Sequence, residues 1–202
     1  MDKFTIWKNS YLKVKINGYN NTYYLGYRQE GNPDYLNDLK NTFAKASRGL
    51  LIKAKKEVYN RLLSDLPKIV ELEKLTAPIC VCIPRSRADM VASQLYFRDA
   101  VSEASQQFFG LEDGADVIKR VKNTCTTHLR NSSICNDGPL PYPGITVDTC
   151  EIDSRKIRGR DVILIDDIYT SGCNIDEDCI QAMYDNGAKR VVFYAIAYTR
   201  RG

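Results

Sequence analysis

The sequence predicts an α/β domain in which helices flank a mostly parallel central sheet. The chain has 202 residues, which lies within the size range of one domain. Strand-like and helix-like patterns alternate over its second half. One of these patterns, VILI at 162–165, is a continuous apolar run of the kind that is buried on both faces of a parallel sheet. We therefore expect one α/β core with at most a small appended element.

Residues 1–33 predict that appended element, a small β-rich unit before the core. The segment is rich in aromatic and β-branched residues, which favour strands. Asn17-Gly18 and Asn20-Asn21 interrupt it as tight turns do. The core is then expected to span 34–202.

Helical spacing begins after Pro33 and predicts two helices followed by a short third one. We expect Gly49 to separate the first two helices and Pro67 to end the second one. The short third helix is expected around residues 70–75. The apolar residues with this spacing are Leu36, Leu39, Phe43, Leu51, Ala54, Val58 and Leu62.

The first core strand is predicted at ICVCIP, residues 79–84, followed by the polar cluster RSR and an amphipathic helix. Residues 110–144 have no sustained periodicity and are dense in Gly, Pro, Asn and Thr, which predicts a long mobile loop. Loops of this length usually have a functional reason.

Two more strands and a final strand–helix–strand unit complete the prediction. ITVDTCEI at 145–152 is expected to be a strand, and VILI the next one. A helix with Ile175, Cys179 and Met183 on one face should end at Gly187 and lead into the last strand, RVVFYAIAY.

Composition narrows the functional classes. The net charge of +4 suits a protein that handles phosphates, but no long basic block favours nucleic acid, which stays only a weak possibility as a partner. Seven cysteines without a CxxC pair and the single His128 argue against a structural zinc site. No signal peptide or membrane-spanning run is visible, so we expect a cytoplasmic location with reduced thiols and no membrane partner.

The chemistry is expected where VILI ends, because ligands of open α/β sheets bind beyond the carboxyl ends of strands. Asp166 and Asp167 follow directly, and then come Thr170, Ser171 and Gly172. A loop of small and hydroxyl residues that opens a helix can direct backbone N–H groups toward a phosphate. The two carboxylates suit sugar hydroxyls or a bound cation.

A purely structural interpretation of the same residues is a strand-end turn and a helix start, since Asp, Ser, Thr and Gly are common there. The complete string VILIDDIYTSG in a strand–loop–helix context favours the functional interpretation. The chain has neither GxxxxGK nor GxGxxG, which excludes a Walker-type loop and a Rossmann dinucleotide loop.

VILIDDIYTSG resembles the motif with which type I phosphoribosyltransferases bind phosphoribosyl pyrophosphate (PRPP), and the ComF-like branch is the most similar. Three further segments are similar to that branch: YYLGYRQEGNPDYLNDLKNTF, RVKNTCTTHLRNS and GAKRVVFYAIAYTR. The resemblance implies the type I fold, with residues 1–33 as a hood. It also implies transfer of ribose 5-phosphate from PRPP to a small-molecule nitrogen acceptor, with Mg²⁺ as cofactor and release of pyrophosphate.

The resemblance also implies the site residues. Asp166 and Asp167 would contact the ribose and Mg²⁺, and Arg120 and Lys122 of the long loop would join them as catalytic residues, with His128 and Arg130 nearby. Asn174 stands where the family usually has a hydroxyl residue. The implied PRPP-binding residues are Asp166, Asp167, Ile168, Tyr169, Thr170, Ser171, Gly172, Cys173 and Asn174, together with the pyrophosphate loop Pro84, Arg85, Ser86 and Arg87.

Two other functions stay open. A ligand site does not establish turnover, so the chain could be a non-catalytic PRPP or nucleotide sensor. It could also be a DNA-handling accessory protein of the ComF-like kind, although it lacks the four-cysteine zinc module with which that branch commonly begins. The acceptor cannot be identified from the sequence, and a homodimer is possible.

Overall fold

A computed structural model describes residues 1–27, 29–40, 46–90, 92–125 and 139–200, with the backbone alone for 92–94. Its strands are β1 (Asp2–Ile6), β2 (Ile16–Tyr24), β3 (Ile79–Cys82), β4 (Glu112–Asp113), β5 (Ile118–Arg120), β6 (Cys150–Ile152), β7 (Asp161–Tyr169) and β8 (Arg190–Thr199). Its helices are α1 (Asp34–Lys40), α2 (Arg48–Glu73), α3 (Ala92–Ser105), α4 (Ser154–Ile157) and α5 (Ile175–Asp185).

Six strands form the central sheet in the order β1-β2-β8-β7-β3-β4. Every neighbouring pair in it is parallel except β1 and β2, which are antiparallel. The predicted α/β class with a mostly parallel sheet is therefore confirmed. β7, which contains VILI, lies between β8 and β3 and is buried along almost its whole length.

The predicted β-rich segment at the N-terminus contains β1 and β2, and both strands extend the central sheet. β2 pairs with β8 from Gly18 to Tyr24. Ile6, Ile16 and Tyr19 are buried and pack into the main core, whereas Trp7 is 67% exposed. β8 is a ten-residue strand with two hydrogen-bonding edges. β7 pairs with one edge and β2 pairs with the other.

The helix at 48–73 continues through Pro67, so the predicted end at Pro67 and the short helix after it are wrong. A proline inside a helix costs about 3 kcal/mol. Leu62, Leu66 and Ile69 surround it in sequence and are fully buried, and their packing offsets this cost. The helix ends instead at Lys74, whose backbone is left-handed (φ 49°).

The long predicted loop at 110–144 contains short strands in its described part. β4 pairs with β3, and β5 pairs with β6 in a separate two-stranded antiparallel sheet. Runs of two or three residues are too short to produce a periodic pattern. The predicted strand at 145–152 is confirmed only for Cys150–Ile152, because residues 145–149 form a turn in which Val147 is 94% exposed.

Helices cover both faces of the sheet and divide its core in two. α1, α2 and α3 pack on the face that contains Ile163 and Ile165, whereas α4 and α5 pack on the face that contains Val162 and Leu164. Cys80, Cys82 and Cys179 are buried, as predicted for small core residues. No helix in the described ranges combines the length and apolar character that crossing a membrane requires.

Candidate functional site

Strand β7 runs through both aspartates and ends at Tyr169, beyond the point where the sequence predicts a loop. β8 pairs with it as far as Tyr198, and this partner keeps the chain extended. Ile168 and Tyr169 therefore place their side chains in the core, where the Tyr169 hydroxyl donates to Glu177 Oε1 at 3.0 Å. Their expected contacts with a ligand are limited to the backbone.

The alternation of a β-strand directs Asp166 and Asp167 to opposite faces of the sheet. Asp166 pairs in register with Ala195 and faces α5, like Leu164 before it. Asp167 faces α1 and the loop after β3, like Ile165. Two identical neighbours thus meet different surroundings.

Asp167 is 1% exposed and lies between two cations. Arg85 Nη1 is 2.7 Å from its Oδ2, and Lys40 Nζ is 3.3 Å from its Oδ1. Burial by itself raises the pKa of Asp167, but the charges of Arg85 and Lys40 outweigh it and hold the pKa below its ordinary value. Asp167 is therefore ionised.

Asp166 is half-buried and meets another acid in place of a cation. Burial and the charge of Asp167 raise the pKa of Asp166. Burial, followed by the charge and the hydrogen bond of Asp166, raises the pKa of Asp176 well above its ordinary value. Burial and the neighbouring acid thus disfavour the ionised form of Asp176, in contrast to Asp167.

Three consecutive acids in the first turn of α5 are all buried, which the sequence did not predict. Asp176 contacts Asp166, and Glu177 accepts from Tyr169. Asp178 Oδ2 accepts from the backbone N–H groups of Gly144 and Ile145 at 2.7 and 2.9 Å. Acids are common at helix starts, so nothing in the sequence separates these three from solvated ones.

The loop at 170–174 joins β7 to α5 at the carboxyl edge of the sheet. Ser171 and Gly172 are exposed, and Gly172 has a left-handed backbone (φ 85°). The Thr170 and Thr199 hydroxyls are 2.6 Å apart, and Cys173 N donates to Thr170 O at 3.0 Å. The loop thus precedes the first helical turn, whose N–H groups have no partners within the helix.

Asn174 occupies the N-cap position of α5 in a left-handed conformation (φ 56°), and its side chain makes no capping hydrogen bond. Its Oδ1 accepts from Asn9 Nδ2 at 3.1 Å, and its Nδ2 donates weakly to Gly172 O at 3.5 Å. The amide at this position therefore ties the loop to the N-terminal segment.

The basic loop at 84–87 lies beside the aspartates because β3 is parallel to β7. Cys82 pairs with Ile165, and Ile83 N donates to Ile165 O at 3.0 Å, so the chain leaves β3 next to Asp167. Arg85 makes the contact with Asp167, and Pro84, Ser86 and Arg87 are half-buried around it. The predicted meeting of the two segments is present.

Arg120 and Lys122, predicted to act together, have different surroundings. Arg120 is 8% exposed; its Nε donates to Arg85 O at 2.8 Å and its Nη1 to Gly144 O at 2.7 Å. These two hydrogen bonds connect Arg120 to the basic loop and to Gly144, so its position is fixed by the backbone around it. Lys122 is exposed, and the predicted His128 and Arg130 lie outside the described residues.

Direct binding of Mg²⁺ fits only one of the two aspartates. Asp167 is buried and neutralised by two cations, which does not fit coordination of a third. Asp166 is half-buried and fits Mg²⁺ that arrives with a polyphosphate, since this ion is often held by one or two carboxylates plus substrate phosphates. In the described part of the chain, no cluster of three or more His, Cys, Asp or Glu side chains could hold a metal by itself.

A cavity of about 320 Å³ opens at the opposite, amino end of β8, away from both aspartates. Its lining includes Trp7, Lys15, Glu73 and Arg190. Glu73 accepts there from Lys3 and Asn17, which joins the first two strands to the end of α2.

No protein-family model matches the chain, and no curated protein is significantly similar to it.

Proposed function

We propose that this chain is a phosphoribosyltransferase that binds PRPP with Mg²⁺ and transfers ribose 5-phosphate to a nitrogen acceptor, releasing pyrophosphate. The observation that carries the proposal is the meeting of three elements at one sheet edge. The basic loop after β3 contacts Asp167 through Arg85, Asp166 is its neighbour in β7, and the loop of Thr170, Ser171 and Gly172 begins where β7 ends.

The loop at 170–174 is the proposed site of the 5-phosphate. Ser171 and Gly172 are exposed at the start of α5, an 11-residue helix whose N-terminus favours negative charge. The acids in its first turn face inward to Asp166, Tyr169 and the backbone at 144–145, so they do not line the loop. Their burial removes the main objection to an anion here.

Asp166 is the proposed partner of the ribose hydroxyls, because it is half-buried while Asp167 is occupied by cations. It is also the carboxylate that would hold Mg²⁺, which when bound supplies positive charge to the departing pyrophosphate. Arg85 is the proposed pyrophosphate ligand. Its planar guanidinium suits phosphate oxygens, and its Nη2 is buried without a hydrogen bond among the described residues.

The protein's part in the reaction would be positional and electrostatic. The 5-phosphate loop and Asp166 would fix the ribose, and Arg85 would stabilise negative charge as the bond from the anomeric carbon to pyrophosphate breaks. The acceptor nitrogen would form the new bond to that carbon. No protein nucleophile is needed.

Calorimetry with PRPP and Mg²⁺ tests binding, and a pyrophosphate-release assay with a panel of bases tests turnover. Arg85→Met should weaken PRPP binding by about tenfold or more, since it removes charge-assisted hydrogen bonds. Arg155→Met is the control, because the Arg155 side chain is 90% exposed and pairs with Asp153 at the surface. Wild-type protein that binds no PRPP would contradict the proposal.

A PRPP sensor is the second candidate, favoured by the position of Arg120. Its Nε and Nη1 donate to two backbone carbonyls and the residue is 8% exposed, so the side chain is fixed within the protein and not free to move to the leaving group. Tight PRPP binding without pyrophosphate release, over the whole panel of acceptors, would favour the sensor.

A further inference from the structure

Asp167 has more positive charge around it than one carboxylate needs. Arg85 and Lys40 lie on its two oxygens, from the loop after β3 and from the end of α1. Lys40 lies within the segment YYLGYRQEGNPDYLNDLKNTF but is not among the site residues that the resemblance implies. One cation is enough to neutralise a buried carboxylate, so one of the two can leave while the other keeps Asp167 paired.

The two cations differ in how they are held. Arg85 lies 2.7 Å from Asp167, yet its Nη2 and the Asp167 Oδ2 have no well-aligned hydrogen bond among the described residues. Lys40 approaches Oδ1, the oxygen that also accepts from Ile168 N at 2.7 Å. Arg85 is thus the partner with unused donor capacity.

Helix α1 places Lys40 firmly. Leu36 and Leu39 are fully buried under it, and Asn37 Oδ1 accepts from the Tyr24 hydroxyl at 2.8 Å at the end of β2. The helix is therefore docked on the sheet by packing and by a hydrogen bond. Its last residue stays next to Asp167 without depending on Arg85.

We propose that Lys40 is a positioning residue that remains paired with Asp167 while Arg85 turns its guanidinium to the pyrophosphate group of the ligand. Without Lys40, this turn would leave Asp167 buried and unpaired, which is strongly unfavourable. Arg85 would then stay on Asp167, and the affinity for the anion would fall. This inference rests on the proposed function and adds to it a residue that acts through another residue.

The test uses inorganic pyrophosphate as the probe, with binding measured by calorimetry. Lys40→Met should weaken binding by about tenfold or more, and Lys40→Arg should restore most of it. Lys68→Met is the matched control, because Lys68 also lies beside a buried carboxylate, Asp65 Oδ1 at 3.4 Å, and both residues of this pair belong to α2 and not to the sheet edge with Asp166 and Asp167. It should bind pyrophosphate as wild type does.

A double-mutant cycle separates positioning from direct contact. In an Asp167→Asn background there is no charge to keep paired, so Lys40→Met should then have little effect. An equally large effect in both backgrounds would mean that Lys40 contacts the anion itself and would overturn the inference. So would a Lys40→Met variant that binds like wild type, while the proposed function would stand.

Side-chain NMR of the wild type gives a second measurement if a Lys40 variant does not fold. Adding pyrophosphate should shift the Arg85 guanidinium resonances and leave the Lys40 ammonium resonance in place. The reverse pattern would overturn the inference. Wild type that binds neither pyrophosphate nor PRPP would instead remove the proposed function, which is a different result.

Discussion

Asp166 and Asp167 are neighbours in β7, but they lie on opposite faces of the sheet and their pKa values shift in opposite directions. On the face of α1, Asp167 meets Arg85 and Lys40 and its pKa is held low. On the face of α5, Asp166 meets Asp176, and burial raises the pKa of both. Two residues that look equivalent in the sequence therefore suit different tasks. Asp167 is a fixed anion between two cations, whereas Asp166 is a half-buried acid, which is why we propose Asp166 as the partner of the ribose hydroxyls.

The largest effect is expected from removing the anion on the α1 face. Asp167→Ala leaves two cations without a partner, and breaking a buried ion pair costs about 3–5 kcal/mol. Urea denaturation should show this loss in the free energy of unfolding. Asp153→Ala, which breaks the surface pair with Arg155, is the control and should unfold almost like wild type. Similar effects of the two changes would contradict the buried pairing.

On the α5 face, the contribution of Asp176 to the free energy of unfolding should fall as the pH rises, which is opposite to the pH dependence expected for Asp167. Asp176 has a raised pKa, so its stabilising contribution is present below the unfolded value near 4 and is lost as the pH rises toward the folded value. Asp176→Asn should therefore gain stability relative to wild type above about pH 4, with a slope of up to about 1.4 kcal/mol per pH unit.

Asp167 provides the contrast within the same experiment. Its pKa is lowered, so its contribution is present above the unfolded value near 4 and is lost as the pH falls below it. Asp167→Asn should thus be less stable than wild type at neutral pH, and the gap should close on acidification. Denaturation curves of both variants from pH 3 to about 8 measure this. If the stability difference from wild type changed with pH in the same way for both variants, the proposed difference between the two faces would be contradicted.

The smallest of these effects concerns the segment that Asp178 holds against α5. A Cβ on Gly144 would lie 2.0 Å from the Pro141 carbonyl oxygen, so Gly144→Ala must shift the backbone there. The bonds to Asp178 and Arg120 would weaken, and we expect a loss of about 1–3 kcal/mol in thermal or urea unfolding. Gly49→Ala, with nothing within 4 Å of the new Cβ, is the control and should be neutral or slightly stabilising.

Local patterns account for much of what the sequence predicted correctly. The apolar run at 162–165 predicts a buried central strand, and helical spacing predicts α2 and α5. The order of strand and basic loop places Arg85 at the sheet edge, because strands of one parallel sheet share that edge. These features depend on residues that are close together in the chain.

Several of the errors involve distant partners. β2 pairs with β8, and pairing with β8 also keeps β7 extended as far as Tyr169. Core packing stabilises α2 where it continues through Pro67. Arg120 looks like a free cation in the sequence, but the carbonyls of Arg85 and Gly144 occupy it. A local sequence pattern does not predict contacts with residues that are far away in the chain.

The sequence by itself determined the α/β class, the central strand and the position of the two aspartates at its carboxyl end, because periodicity and residue order are local properties. Only the tertiary structure decided what each aspartate does. Strand alternation separates their side chains, but the helix that covers each face supplies the partner: Lys40 from α1 for Asp167, and Asp176 from α5 for Asp166. The charge state of a buried carboxylate follows from those partners and from burial, and both arise only when distant segments pack together.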